Sequence, residues 1–450
     1  MARDDEKTIL LTNALIITMD DERRILRGGI RLRRDKIAEV GDPSPSKGER
    51  ILNLRGAAVL PGFIQAHLHL CQTLLRHAGE DLELLDWLRR RIWPLEAAHT
   101  PDSLYASARL GIAELLKNGT TALLDMGTVH HTDAIFEAAK SSGIRATIGK
   151  AMMDEGEGIP PGLREGTDDS LQSSCDLFER WNGAENGRLS YAFCPRFVPS
   201  CSRRLLELLV AEVDKRVARI HTHASENRAE IELVRRMTGM DNIDYFHSLG
   251  LTGDHVGLAH CVWVSEHEMQ VLSETGTHVL HCPGSNFKLA SGLAPIPSML
   301  EHGVALAIGS DGAPCNNRLS ILDEMRLAGL IQRPKHGPAS MKAEDIVAMA
   351  TRGGAAALGL STGGQIRPGF LADLVVLDLD DLGNLGASDV YTKIVYASDA
   401  RHIRHVFVGG RELVRDGTLL SMNEREIVND ARHEGRALFK RAGLEELWFK

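Results

Sequence analysis

The chain has 450 residues, 43% hydrophobic and 25% charged, an ordinary soluble composition but more sequence than a bare barrel of about 250 residues needs. A net charge of -9 without a long basic run, and no apolar stretch near the roughly 20 residues of a transmembrane helix, argue against nucleic-acid and membrane partners. The acidic start MARDDEKTILL lacks the apolar core of a signal peptide and the seven cysteines form no CxxC pair, so reduced thiols and a cytoplasmic location are expected.

Up to about residue 58, TILLTNALIITMD and GIRLRRDKIAEVG alternate around turns, the pattern of antiparallel strands. The pattern then changes. Eight apolar runs of strand length follow, each ending on a polar or metal-capable residue: AAVLPGFIQAHLH, TTALLDMG, RATIGKAMMD, RLSYAFCPRF, ARIHTHASE, HVGLAHC, THVLHCPGSN and ALAIGSDG. Segments of helical period lie between most of them, among them Tyr105 to Asn118, Thr132 to Ser141 and Arg203 to Lys215. Strand–helix alternation predicts parallel pairing. Eight such units predict an α/β fold, the (β/α)8 TIM barrel, whose reactive groups sit at the C-terminal strand ends. After Gly364, ADLVVLDL and IRHVFVGGRELVRDG return to the β pattern, and Glu424 to Lys450 reads as helical. Neither β-rich end has enough apolar surface to stand alone. The expected organisation is therefore a barrel over 59–364, one small β-sandwich domain built from 1–58 and 365–425, and a terminal helical segment over 426–450.

His67 and His69 are two apart, which on a strand places both imidazoles on one face. HTHASE adds His221 and His223; the latter, nearer the strand end, is the expected ligand, and His221 a packed or hydrogen-bonded neighbour. Asp311 follows Ala-Ile-Gly-Ser at the end of the last strand. A lone HxH is often a solvated turn and a lone Asp there often a helix cap; the four together specify a metal site. Three imidazoles and a carboxylate suit one Zn2+ per chain, with Fe2+ the rival. Such an ion brings the pKa of bound water to near 7. Glu226, three residues past His223, is placed to act on that water as general base. His260, closing LAH, would donate to the attacked oxygen or position the water, with Asp311 helping to stabilise the adduct, while His281 reads as structural.

PGFIQAHLHLCQTLLR, HTHASEN, LAHC, HCPGSN and GSDGAP resemble the mononuclear-metal branch of the amidohydrolase superfamily, over about residues 8 to 420. That branch contains deaminases of adenosine-type nucleosides (S-adenosylhomocysteine, 5'-methylthioadenosine, 5'-deoxyadenosine), guanine deaminases and s-triazine hydrolases. The resemblance implies the barrel and β-sandwich, metal on His67, His69, His223 and Asp311, catalysis by Glu226, His260 and Asp311, and a homo-oligomer, dimer or tetramer. Binuclear relatives carry a carboxylated lysine at the end of strand four; here that strand ends CPRF, which implies one ion, although Lys150 lies near the end of strand three.

The resemblance also implies a small heterocyclic substrate. Gln72 matches a position that hydrogen-bonds the ring in several members, and Glu96 one that holds ribose hydroxyls. Trp87 either walls the pocket or packs beneath it, and Arg196 in CPRFVPSCS matches an arginine that guanine deaminases set against the purine. The implied activity is hydrolytic deamination of an aminopurine with release of ammonia, first an adenosine-type nucleoside, then guanine, then an s-triazine or pterin-type ring. His77 to Trp93 and EGEGIPPGLREG are the segments expected to cover the pocket.

Overall fold

In the computed structural model, which describes residues 8–386 and 389–448, eight parallel strands follow one another round a barrel. They are numbered here β1 (Phe63–Leu68), β2 (Thr120–Met126), β3 (Arg145–Gly149), β4 (Leu189–Pro195), β5 (Arg219–Ala224), β6 (Val256–His260), β7 (His278–His281) and β8 (Ala305–Ile308). β1, β2 and β3 are buried at every position, because helices cover the outside and side chains fill the inside; that is why they read as unbroken runs. The barrel closes between β8 and β1. There the Asp311 N–H donates to the His67 carbonyl at 3.0 Å and the Ser310 N–H to Gln65 Oε1 at 2.8 Å.

The helix expected from Tyr105 begins already at Pro101, where Thr100 and Ser103 exchange capping hydrogen bonds and the proline sits in the first turn. Helices Thr132–Ser142 and Arg203–Arg216 lie where the periodicity puts them. All seven cysteines are buried and unpaired. Among the described residues no helix is long and apolar enough to cross a membrane.

Both ends of the chain enter one nine-stranded sheet. Thr8–Ile17 runs antiparallel to Ile25–Arg33, which pairs in turn with Lys36–Gly41. Its other edge takes Arg50–Asn53 and Ala58–Pro61 in parallel. Ala58–Pro61 then pairs antiparallel with Leu374–Leu377, which brings in Ile403–Val408, Arg411–Arg415 and Thr418–Leu419. This composite unit has its own apolar layer, including Leu11, Ile16, Ile30, Val59, Leu374 and Phe407. Its strands run on to Pro61, past the expected boundary at 58, because 58–61 hydrogen-bond to the sheet and not to the barrel.

A buried two-point ion pair joins the sheet to the barrel: Arg145 on β3 meets Asp373 at 2.6 and 3.3 Å. The terminal segment forms helix Glu424–Arg441, held to Pro101–Lys117 by Arg109–Asp430 (2.9 Å) and Lys117–Glu424 (2.8 Å). Residues 1–7 and 449–450 of the expected terminal segments lie outside the described residues.

The closing seam leaves no room for a side chain. A Cβ added to Gly309 would lie 2.5 Å from the His67 carbonyl oxygen and 2.6 Å from its nitrogen, both of them backbone atoms. Gly309→Ala is expected to cost about 1–3 kcal/mol by overpacking, read as a lowered Tm. An unchanged Tm would show that the seam has slack.

Candidate active site and metal centre

The groups singled out in the sequence meet at the C-terminal mouth of the barrel. His67 and His69 end β1, His223 ends β5, His260 ends β6, and Asp311 follows β8. The chain turns sharply off these strands. Ser225, His260, Cys261 and Asp311 all take left-handed backbone conformations, with φ of 53°, 75°, 45° and 60°. Such conformations persist in non-glycine residues only where surrounding structure enforces them.

Each of the three ligand-type imidazoles is held by Nδ1. His69 Nδ1 lies 2.8 Å from the Met126 carbonyl oxygen and His223 Nδ1 2.7 Å from that of Arg196. His67 Nδ1 is occupied by His221 Nε2 at 2.7 Å, so His221 supports a neighbour, as the sequence reading has it. The Nε2 atoms therefore face inward. Those of His69 and His223 are 3.2 Å apart, and those of His67 and His69 are each 3.3 Å from Asp311 Oδ1. With Nδ1–H given to carbonyls, His69 and His223 present lone pairs to each other and to a carboxylate.

Burial is the main force lowering the imidazole pKa values, to about 4 for His67 and well below the ordinary range for His223. Both rings are neutral at neutral pH. Burial opposes charge on Asp311 too, but contact with His67 and the influence of His260 and His69 outweigh it, and the carboxylate stays ionised. Buried acceptors facing one another without a donor fit a divalent cation, and His67 Nε2 has no hydrogen-bond partner among the described residues. Two triplets lie with ligand atoms within 4.8 Å of one another: His67, His69 and His223; and His67, His260 and Asp311.

Glu226 and His260 stand beside this cluster. Glu226 Oε2 is 3.5 Å from His260 Nε2, which is 3.8 Å from Asp311 Oδ2. Burial raises the Glu226 carboxyl pKa to about 7 against the pull of His260. Lys150 stands apart: it is buried in an ion pair with Glu165 at 2.5 Å, within the loop after β3.

The pocket above is lined by His69, Gln72, Arg196, His223, Glu226, Glu230, His260 and Asp311, and by the apolar Leu84, Trp87, Leu88, Phe197 and Leu289. Trp87 is thus part of the wall. Glu96 is not. The resemblance would set Arg196 against a ring and Glu96 against a ribose, yet here they bind each other, Nη1–Oε2 at 2.6 Å and Nη2–Oε1 at 3.2 Å. The reason is electrostatic: both are buried, and neither charge is tolerable there alone. Gln72 Nε2 also donates to Glu96, at 2.8 Å, and the amide oxygen has no hydrogen-bond partner among the described residues.

Leu84, Trp87 and Leu88 belong to consecutive helical turns, Leu84–Trp87, Leu88–Ile92 and Trp93–Ala97, the middle one π-helical. The covering segment therefore lies within the expected 77–93. The Gly/Pro-rich loop after β3 takes a different place. It does not line the pocket but packs behind those turns, with Gly158 against Arg89 and Gly162 against Ala97.

The sequence reading missed Phe197, Leu289 and Glu230 in the wall, and Ser285, Asn286 and Ser291 behind it. Glu230 carried a signal in the spacing Asn227-x-x-Glu230, a capping box in which its carboxylate accepts the Glu226 and Asn227 N–H groups.

The model of the amidohydrolase family matches residues 58–413. The 5-methylthioadenosine/S-adenosylhomocysteine deaminase of Syntrophobacter fumaroxidans is 36% identical over 437 residues, 96% of this chain and 98% of that protein. The 5'-deoxyadenosine deaminase of Methanosarcina barkeri is 32% identical over 438 residues, 96% of this chain and 99% of that protein. Among solved structures, the zinc complex of atrazine chlorohydrolase from Arthrobacter aurescens TC1 aligns with a TM-score of 0.90 at 26% identity, over 95% of this chain and 100% of that one. Because the family match takes in the whole barrel and relatives match from end to end, the chain belongs to the amidohydrolase family.

Proposed function

We propose that this chain is a metal-dependent hydrolytic deaminase of an adenosine-type nucleoside: 5'-deoxyadenosine, S-adenosylhomocysteine or 5'-methylthioadenosine. One observation carries it. Glu226, His260 and Asp311 form a line of proton-handling groups, 3.5 and 3.8 Å apart, against the converging imidazoles at the pocket floor. The full-length likeness to two nucleoside deaminases supports the substrate class.

His67, His69, His223 and Asp311 would hold the ion, with zinc favoured by the donor set and by the zinc in the related chlorohydrolase. When bound, a divalent cation supplies Lewis acidity that makes water a nucleophile at neutral pH. The chain's own groups do the rest. Glu226 takes a proton from the attacking water and delivers it to the ring nitrogen beside the amine-bearing carbon. The water oxygen bonds to that carbon. His260 and Asp311 stabilise the charge that develops in the tetrahedral adduct. The remaining water proton passes through Glu226 to the amine, the C–N bond breaks, and ammonia leaves. A carboxyl pKa near 7 suits Glu226 to taking and giving the same proton.

Gln72, its amide nitrogen committed to Glu96, offers an acceptor to an amino group or ring N–H. Guanine is the second reading. It is supported by Arg196, which lines the pocket and keeps N–H groups beyond the two given to Glu96. The seven buried free thiols support a cytoplasmic location.

Glu226→Gln should lower kcat at least about 100-fold with metal content and Tm retained; full turnover would remove its assigned role. Elemental analysis should find one divalent ion per chain. In an ammonia-release panel of the three nucleosides, adenosine, guanine and an s-triazine, a nucleoside should be the best substrate. Turnover confined to guanine would favour the second reading, and none with any purine would end both.

A further inference from the structure

β7 contributes neither a ligand nor a reacting group, yet CPGSN follows it and remains unexplained by the reaction. The segment after β7 opens with the short helix Pro283–Lys288 and runs on to Ser291. Ser285, Asn286 and Ser291 are buried, at 0%, 1% and 3% exposure. Each turns its side chain on a different member of the proposed machinery. Ser285 Oγ donates to Asp311 Oδ2 at 2.6 Å, His260 Nδ1 meets Asn286 Oδ1 at 2.8 Å, and Ser291 Oγ lies 3.4 Å from Glu226 Oε1.

We infer that the segment Ser285–Ser291 is a positioning jig that sets Asp311, His260 and Glu226 relative to one another. The inference rests on the deaminase reading for what the three groups do, but not for how they are held.

Free rotation of the Asp311 carboxylate would exchange its oxygens. Ser285 holds Oδ2, and the Gly312 N–H, at 2.7 Å, holds Oδ1 on the side of His67 and His69. Asn286 fixes the His260 ring at Nδ1, so that Nε2 alone faces Glu226 and Asp311. The segment is itself anchored. The Gly284 N–H donates to Glu324 Oε2 at 2.9 Å, and Asn316 Nδ2 bridges Glu324 Oε1 and the Ser310 carbonyl, at 2.7 Å each. Residue 310 immediately precedes Asp311. The jig and the carboxylate it holds are therefore tied to one frame. Backbone bonds from Asn286 N to Cys282 O (3.0 Å) and Ser291 N to Asn286 O (2.8 Å) keep the segment compact.

Three variants of the whole chain test the inference. Ser285→Ala should weaken divalent-metal affinity about 10- to 100-fold, measured by chelator competition without substrate. Asn286→Ala should lower kcat by about 10- to 100-fold with KM within about twofold and metal content unchanged, and Asn286→Asp, which keeps the acceptor oxygen, should recover most of the loss. Wild-type metal affinity in Ser285→Ala together with wild-type kcat in Asn286→Ala would overturn the inference, as would equal loss in Asn286→Ala and Asn286→Asp. Failure of the deaminase reading looks different: the unaltered protein would release no ammonia, while the metal-affinity loss in Ser285→Ala would persist.

Discussion

The site depends on the seam where the barrel closes. First and last strands of a barrel are remote in the chain, and nothing local forces them together. Here the contact is made by the backbone of the ligand-type residues themselves, the Asp311 N–H on the His67 carbonyl, with Gly309 allowing the approach. Closing the fold and assembling the cluster are one event. Any change that opens the seam also parts the carboxylate from the imidazoles.

Closure then creates an electrostatic problem. Buried imidazole nitrogens and an ionised carboxylate converge within 3.2–3.3 Å, an arrangement that costs free energy unless a cation enters. The surrounding structure does not relax to avoid it, because each imidazole is held from behind through Nδ1. Elsewhere in the pocket the opposite solution is used. Arg196 in the wall and Glu96 behind it neutralise each other, and Gln72 completes the set. One region is poised to take up an ion, and its neighbour is already satisfied.

Much of this was legible because strand geometry has a period of two. His67-x-His69 can only share a face, and HTHASE places His223 at a strand end by the same logic. The barrel itself followed from unbroken apolar runs separated by helical ones. What the residues could not reveal were relations across space. Nothing in LLDWLRRRIWPLE or CPRFVPSCS announces that Glu96 and Arg196 will pair, since pairing follows from the depth at which both are buried. Ser285, Asn286 and Ser291 escaped for another reason. Small polar residues after a proline look like ordinary turn chemistry, and only their partners distinguish them. The terminal unit was half visible: alternation marks its strands, but the parallel pairing of Thr8–Ile17 with Arg50–Asn53 and Ala58–Pro61 has no local signature.

Residue 196 serves two masters through two different parts of itself. Its main-chain oxygen orients the His223 ring, while its guanidinium lines the cavity where a substrate would lie. Every amino acid offers that same oxygen. Substitution at this position can therefore redraw what the cavity accepts and leave the ring on its anchor, so long as the buried Glu96 finds another partner. What the cavity admits and how that ring is aimed are thus separable at a single position.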